Sequence, residues 1–188
     1  MDRFDISLLA ALQNDGRLTN NELGEKVGLS ASQCSRRRVA LEQEGVIEGY
    51  HAALSPAALG LAVLAFVQVR LATHSPDNSR RFRELVGRTA EVQEAYALTG
   101  EADYLLKIAV PDLKALSRIL NEVFLAHGSV AQVHSSVVLD RLTKSRGMPL
   151  THLREAEPEE RAGRRRNTSP RTRREAEGLR RRPGAQRR

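Results

Sequence analysis

Arg36, Arg37 and Arg38 stand together, and Ser30, Ser32, Gln33 and Ser35 lie just before them. Arginine can pair bidentately with the edge of guanine, glutamine with adenine, and serine can bond phosphate or base edges, so this stretch carries the chemistry of a major-groove reader. A helical hairpin with a solvated basic face has the same composition. A second group is Glu101 and Asp103 on one short turn. Two carboxylates so placed can do acid–base work, and an ordinary polar β-turn looks the same.

The elements around the first group decide how it is presented. Thr19 and Glu22 have capping-box spacing, which predicts a helix from Asn20 to about Val27, broken by Gly28. Ser30 and Gln33 repeat the arrangement and predict a second helix from Ala31 to Glu44, stopped by Gly45. Two capped helices around a glycine turn make a helix-turn-helix candidate. At about 100° per residue, Cys34 and Leu41 fall on one face of the second helix, while Ser32, Gln33, Ser35, Arg36 and Val39 point away. Ile6, Leu8, Leu9 and Leu12 give an earlier helix, from about Asp5 to Asn14, that would close a three-helix core. Val46 and Ile47 should begin a short strand through Tyr50, the wing, and 51–60, with Pro56, reads as a connector.

Beyond the connector the period changes. The run 61–71 ends in alternating Val67, Val69 and Leu71, a strand; Asn78–Val86 reads as a helix with Phe82, Leu85 and Val86 inward. Strands are expected at 92–98, 104–110 and 130–139. Between the last two, Pro111-Asp112 opens a helix whose inward set is Leu113, Leu116, Ile119, Leu120, Val123 and Phe124. The order β-α-β-β-α-β is that of the ferredoxin-like split βαβ arrangement, so the fold class is α+β. A sheet with helices on one side leaves its other face to be covered, which a second copy can do.

The formal charge of +7 looks like a nucleic-acid signature until it is divided along the chain. Residues 1–150 carry 17 basic and 17 acidic side chains, and the whole excess lies in 151–188. The first 50 residues hold 6 basic and 8 acidic side chains, so attraction to DNA rests on the local cluster at Arg36–Arg38, and one head alone should bind weakly. The Arg-rich segment 151–188 contains Pro158, Pro170 and Pro183 and is expected to be disordered. Either it adds sequence-independent phosphate contacts or it is dispensable. No apolar run is long enough to span a bilayer and no leader is visible, so a soluble, cytoplasmic protein without membrane contact is expected. Cys34 is the single cysteine and has no partner for a disulfide or a metal; it reads as a small core residue, and neither metal nor cofactor is expected.

The segments TNNELGEKVGLS, CSRRR and LEQEGVIEGY, after DISLLAALQNDGR, resemble the pattern of the leucine-responsive/AsnC regulators, the Lrp/AsnC or feast/famine family. Thr99–Leu106, Ser135–Leu139 and Met148-Pro149-Leu150 resemble stretches of its second half, so the likeness covers about residues 1–150. It departs at Arg38, where most members have an aliphatic residue, and at Val39 and Ala40, where they have basic ones; a changed operator preference is expected.

The resemblance implies a winged helix-turn-helix domain at 1–50, a linker at 51–60, a ferredoxin-like effector-binding and oligomerisation domain at 61–150, and the tail at 151–188. Ser30, Ser32, Gln33, Ser35, Arg36, Arg37 and Arg38 would contact double-stranded DNA. Gly100, Glu101, Asp103, Tyr104, Ser135 and Ser136 would form an effector pocket, Asp103 accepting from an amino acid's ammonium group. A homodimer or a higher ring such as an octamer would join weak heads into one binder. The function implied is that of a transcriptional regulator answering to a small molecule, an amino acid; a constitutive DNA-organising protein is the alternative, and an enzyme has only Glu101 and Asp103 in its favour.

Overall fold

A computed structural model describes residues 1–143 and 147–155. The chain forms two compact units, one built from the first 51 residues with the segment after residue 146, the other from 52–145. Of the Arg-rich stretch only 151–155 is described, so the expected disorder of the rest lies outside the described residues.

The first unit holds α1 (Arg3–Asn14), α2 (Asn20–Val27) and α3 (Ala31–Gln43). Each begins with a reciprocal cap. Asp2 accepts from the amides of Phe4 and Asp5 while its own amide donates to Asp5; Thr19 and Glu22 do the same for α2, and Ser30 and Gln33 for α3. The cap at Asp2 extends α1 two residues beyond the expected start. Gly28 at φ 73° reverses the chain after α2, and the Leu29 amide donates to the Gly24 carbonyl at 3.1 Å. A Cβ on Gly24 would lie 2.5 Å from the Leu29 carbonyl oxygen, so the turn passes α2 at a distance only glycine permits. Leu8, Leu9, Leu12, Leu23, Cys34 and Leu41 make the core, with Leu18, Val27, Leu29 and Ile47 packed at its edge.

Three expectations fail here. No strand forms at 46–50: the amides of Val46 and Ile47 both donate to the Leu41 carbonyl, closing the end of α3 through Gly45 at φ 70°, and Ile47 turns into the core, leaving nothing for a wing ladder to pair. Residues Thr151–Glu155 were expected to be disordered and instead form α6. Leu150 packs on the first core, and Met148 exchanges backbone bonds with the Gln13 side chain, so 147–150 belongs to the helical unit rather than ending the sheet unit.

The second unit follows the expected order: β1 (Val63–Leu71), α4 (Pro76–Arg88), β2 (Val92–Ala97), β3 (Tyr104–Val110), α5 (Leu113–Arg118, widening into π-type turns over Ile119–Leu125) and β4 (Val130–Val137). The antiparallel sheet runs β2-β3-β1-β4. Ala65, Val67, Val69 and Leu71 alternate inward on β1 and meet Phe82 of α4 and Leu116, Ile119 and Phe124 of the second helix. Leu113 was expected inward and is 61% exposed: it is the first helical residue after the Asp112 cap, and the buried set of this helix begins only at Leu116. The opposite sheet face carries Phe66, Leu105, Tyr96 and the Lys107–Glu94 ion pair, and no helix among the described residues of this unit packs on it.

Candidate nucleic-acid interface and ligand groove

The three arginines of α3 have three different situations. Arg37 is turned back onto the start of α1: its guanidinium meets Asp5 at 2.6 Å and Asp2 at 2.9 Å and lies over the Phe4 ring. The Asp5 carboxylate and, with it, Asp2 hold the Arg37 pKa above its ordinary value despite the opposing effect of burial. Burial pushes Asp2 upward, but the amide of Asp5, the Arg37 guanidinium and the amide of Phe4 together keep its carboxyl below the usual range. Arg38 stacks on the Tyr50 ring at 4.4 Å, and its Nε donates to the Tyr50 hydroxyl at 2.8 Å and to Glu42 at 3.3 Å. Arg36 is exposed and has no ion-pair partner among the described residues.

The other outward residues are also graded. Ser32 is exposed, its hydroxyl 3.1 Å from that of Ser30, and Ser35 is half-buried. Gln33 is exposed, but its Oε1 accepts from the Ser30 amide and hydroxyl. A bidentate pair with adenine needs that same oxygen, so Gln33 can read a base only by opening the cap, or can offer its amide N–H groups alone. Cys34 is fully buried, and burial pushes its thiol pKa up, as befits an inert core residue. The exposed Gln43 lies on the outward line of α3 and was missed, though its helical spacing from Ser32 and Arg36 could have found it.

In the sheet unit an open groove of about 760 Å³ runs between the start of α4 and the end of β2, lined by Leu71, His74, Ser75, Leu98, Asp103 and Tyr104 among others. Asp103 stands at its edge. One carboxylate oxygen accepts from the Leu71 amide at 2.7 Å, the other lies 3.3 Å from Nδ1 of His74, and the Asp103 amide donates to Val69 at 3.0 Å. Tyr104 is buried, its ring 4.7 Å from that of Phe82. Gly100 turns the chain at φ 117° and Glu101 is exposed, with no bond to Asp103 among the described residues. Ser135 and Ser136 are elsewhere: on β4 they pair with Val67 and Phe66 of β1, pointing to opposite faces. With β1 between β4 and β3, the lateral offset alone puts them about 10 Å from the β2–β3 turn, and the register along the strands adds to it. His74 and Arg83 line the groove and were not foreseen.

Comparison with known proteins places this geometry. The model of the AsnC-type helix-turn-helix domain matches residues 1–42, and that of the Lrp/AsnC ligand binding domain matches 64–148. The leucine-responsive regulatory protein of Escherichia coli is 39% identical over 145 residues, 77% of this chain and 88% of that protein. The chain belongs to the Lrp/AsnC family. Among solved Lrp/AsnC-like structures, a transcriptional regulator of Neisseria meningitidis crystallised with L-Met superposes with a TM-score of 0.79 at 40% identity, covering 81% of this chain and 99% of that one. An AsnC family regulator of Agrobacterium tumefaciens gives 0.76 at 35% identity, with coverage of 81% and 99%.

An Lrp/AsnC member with both domains is a DNA-binding transcriptional regulator and not an enzyme. Glu101 and Asp103 therefore have no catalytic role to explain. Among the described residues no helix is long and apolar enough to cross a membrane.

Proposed function

We propose that the outward face of α3, with Ser32 and Arg36 at its centre, enters the major groove of double-stranded DNA, and that the groove beside Asp103 takes an amino acid that alters this binding. The observation that carries the first part is the inequality of the arginines. Arg37 is fully engaged in aligning α3 with α1, Arg38 is held at Nε by Tyr50 and Glu42, and Arg36 alone keeps its whole fork for a base. Ser30 and Gln33 act chiefly as the cap that fixes the N-terminal turn of α3, while Ser35 and the terminal nitrogens of Arg38 are suited to phosphate.

For the effector, the Asp103 oxygen facing His74 accepts from an ammonium group, backbone amides near Gly100 serve the carboxylate, and Leu71, Leu98 and Tyr104 supply apolar wall. The likeness to a regulator solved with L-Met supports an amino-acid ligand. Ser135 and Ser136 can join the same ligand only from a second copy. Such a copy fits the open sheet face, where Phe66 and Tyr96 are 39% and 50% exposed, and a dimer, or a ring of dimers, would join two weak heads. A regulator of this kind works in the cytoplasm, on the nucleoid.

The second reading, a constitutive DNA-organising protein, draws on the partial occupation of Asp103 by the Leu71 amide. Isothermal titration of the full-length protein against the twenty amino acids separates the two. Heat with at least one of them, and a changed DNA affinity in its presence, supports sensing; no heat with any favours the constitutive protein.

A further inference from the structure

Ser32, Arg36, Val39 and Gln43 lie on the line of α3 opposite the buried Cys34 and Leu41; at about 100° per residue they stay within about 60° of one another. Three are polar and hydrogen-bonding. Val39 is neither, and it is 45% exposed between Arg36 and Gln43, outside the set that packs on the first core. A lone exposed aliphatic on an ordinary surface needs no explanation. Here it interrupts the one stripe whose other members are all donors or acceptors. The major groove presents a single apolar group, the 5-methyl of thymine.

We propose that Val39 is a specificity-determining residue that reads a thymine methyl. The inference rests on the assignment of α3 to the groove made above. Val39 is three residues beyond Arg36, a rise of about 4.5 Å along the helix against about 3.4 Å per base pair. The thymine therefore lies within about one or two base pairs of the base that Arg36 contacts. Val39 contributes selection at that position, and cytosine in place of thymine is rejected for want of the methyl.

The test uses the full-length protein and a duplex selected by it from a random-sequence library. Each thymine is replaced in turn by deoxyuridine, which removes the methyl and leaves the base pair unchanged. Wild-type protein should lose about fourfold in affinity per half-site at one thymine, the effect of exposing one methyl. Val39→Ala should bind the thymine and deoxyuridine duplexes equally at that position, with a melting temperature close to that of wild type because the side chain is 45% exposed and outside the set that packs on the first core. No deoxyuridine effect anywhere in the site with wild-type protein overturns the inference, as does an effect that survives Val39→Ala. Failure to select any duplex overturns the groove assignment itself, and is distinguished by that.

Discussion

Replacing Arg37 and Arg36 separately by alanine should separate stability from DNA binding. Arg37→Ala removes two contacts, to Asp5 at 2.6 Å and Asp2 at 2.9 Å, from a site where the Arg37 and Asp5 side chains are 28% and 15% exposed. A hydrogen bond to a charged group contributes about 1.5–3 kcal/mol when well shielded, and an exposed ion pair about 0–1 kcal/mol. This half-shielded pair lies between, so a loss of about 1–2 kcal/mol is expected. In a unit of this size that lowers the melting temperature by about 5–15 °C. Arg36→Ala breaks no hydrogen bond or ion pair within the described residues and should leave stability within about 0.5 kcal/mol of wild type. It should nonetheless weaken specific DNA binding by about 1–3 kcal/mol per half-site, on the order of 5- to 150-fold. Circular dichroism melts and fluorescence anisotropy with a selected duplex measure the two effects on the same samples. If Arg37→Ala melted like wild type yet lost DNA affinity, while Arg36→Ala bound normally, the roles assigned to the two side chains would be wrong.

Three further outcomes follow from the same contacts. Gly24→Ala should destabilise the helix-turn-helix by more than the usual helix-interior change, because its Cβ meets the Leu29 carbonyl oxygen at 2.5 Å and backbone must move; a lowered chemical-denaturation midpoint checks it. The Asp2 carboxyl is depressed from 3.8 in the folded chain, so its stabilisation is complete above that value and is lost as pH falls through the lower folded value. Acid titration of the melting temperature should therefore show a limb below about pH 4, and Arg37→Gln should flatten it. Asp103→Asn keeps an acceptor for the Leu71 amide and removes the charge beside His74, so the fold should persist, DNA binding should remain and any amino-acid response should be lost.

What could be read from the chain was local. The caps of α2 and α3 were legible because Thr19 and Glu22, and Ser30 and Gln33, lie three residues apart and each pair closes on itself. The cap of α1 uses Asp2 and Asp5, two carboxylates in place of the usual hydroxyl and glutamate, and so escaped notice. The inward sets of β1 and α4 followed from period alone. The situation of Arg37 did not, since Asp5 lies 32 residues away and only the packing of α1 on α3 brings them together. The absent wing has the same origin: Val46 and Ile47 look like the start of a strand, but the Leu41 carbonyl takes both amides. Likewise Asp103 reads as a free turn carboxylate until β1 folds beside it and its Leu71 amide fills one oxygen.

The most direct test of the account is a footprint of the purified full-length protein on fragments of its own chromosome, run beside the Arg36→Ala variant. Protection of paired sites about one helical turn apart, or a multiple of it, that weakens in the variant is the predicted result. A protein that is folded and self-associated but protects no site on any fragment would contradict it.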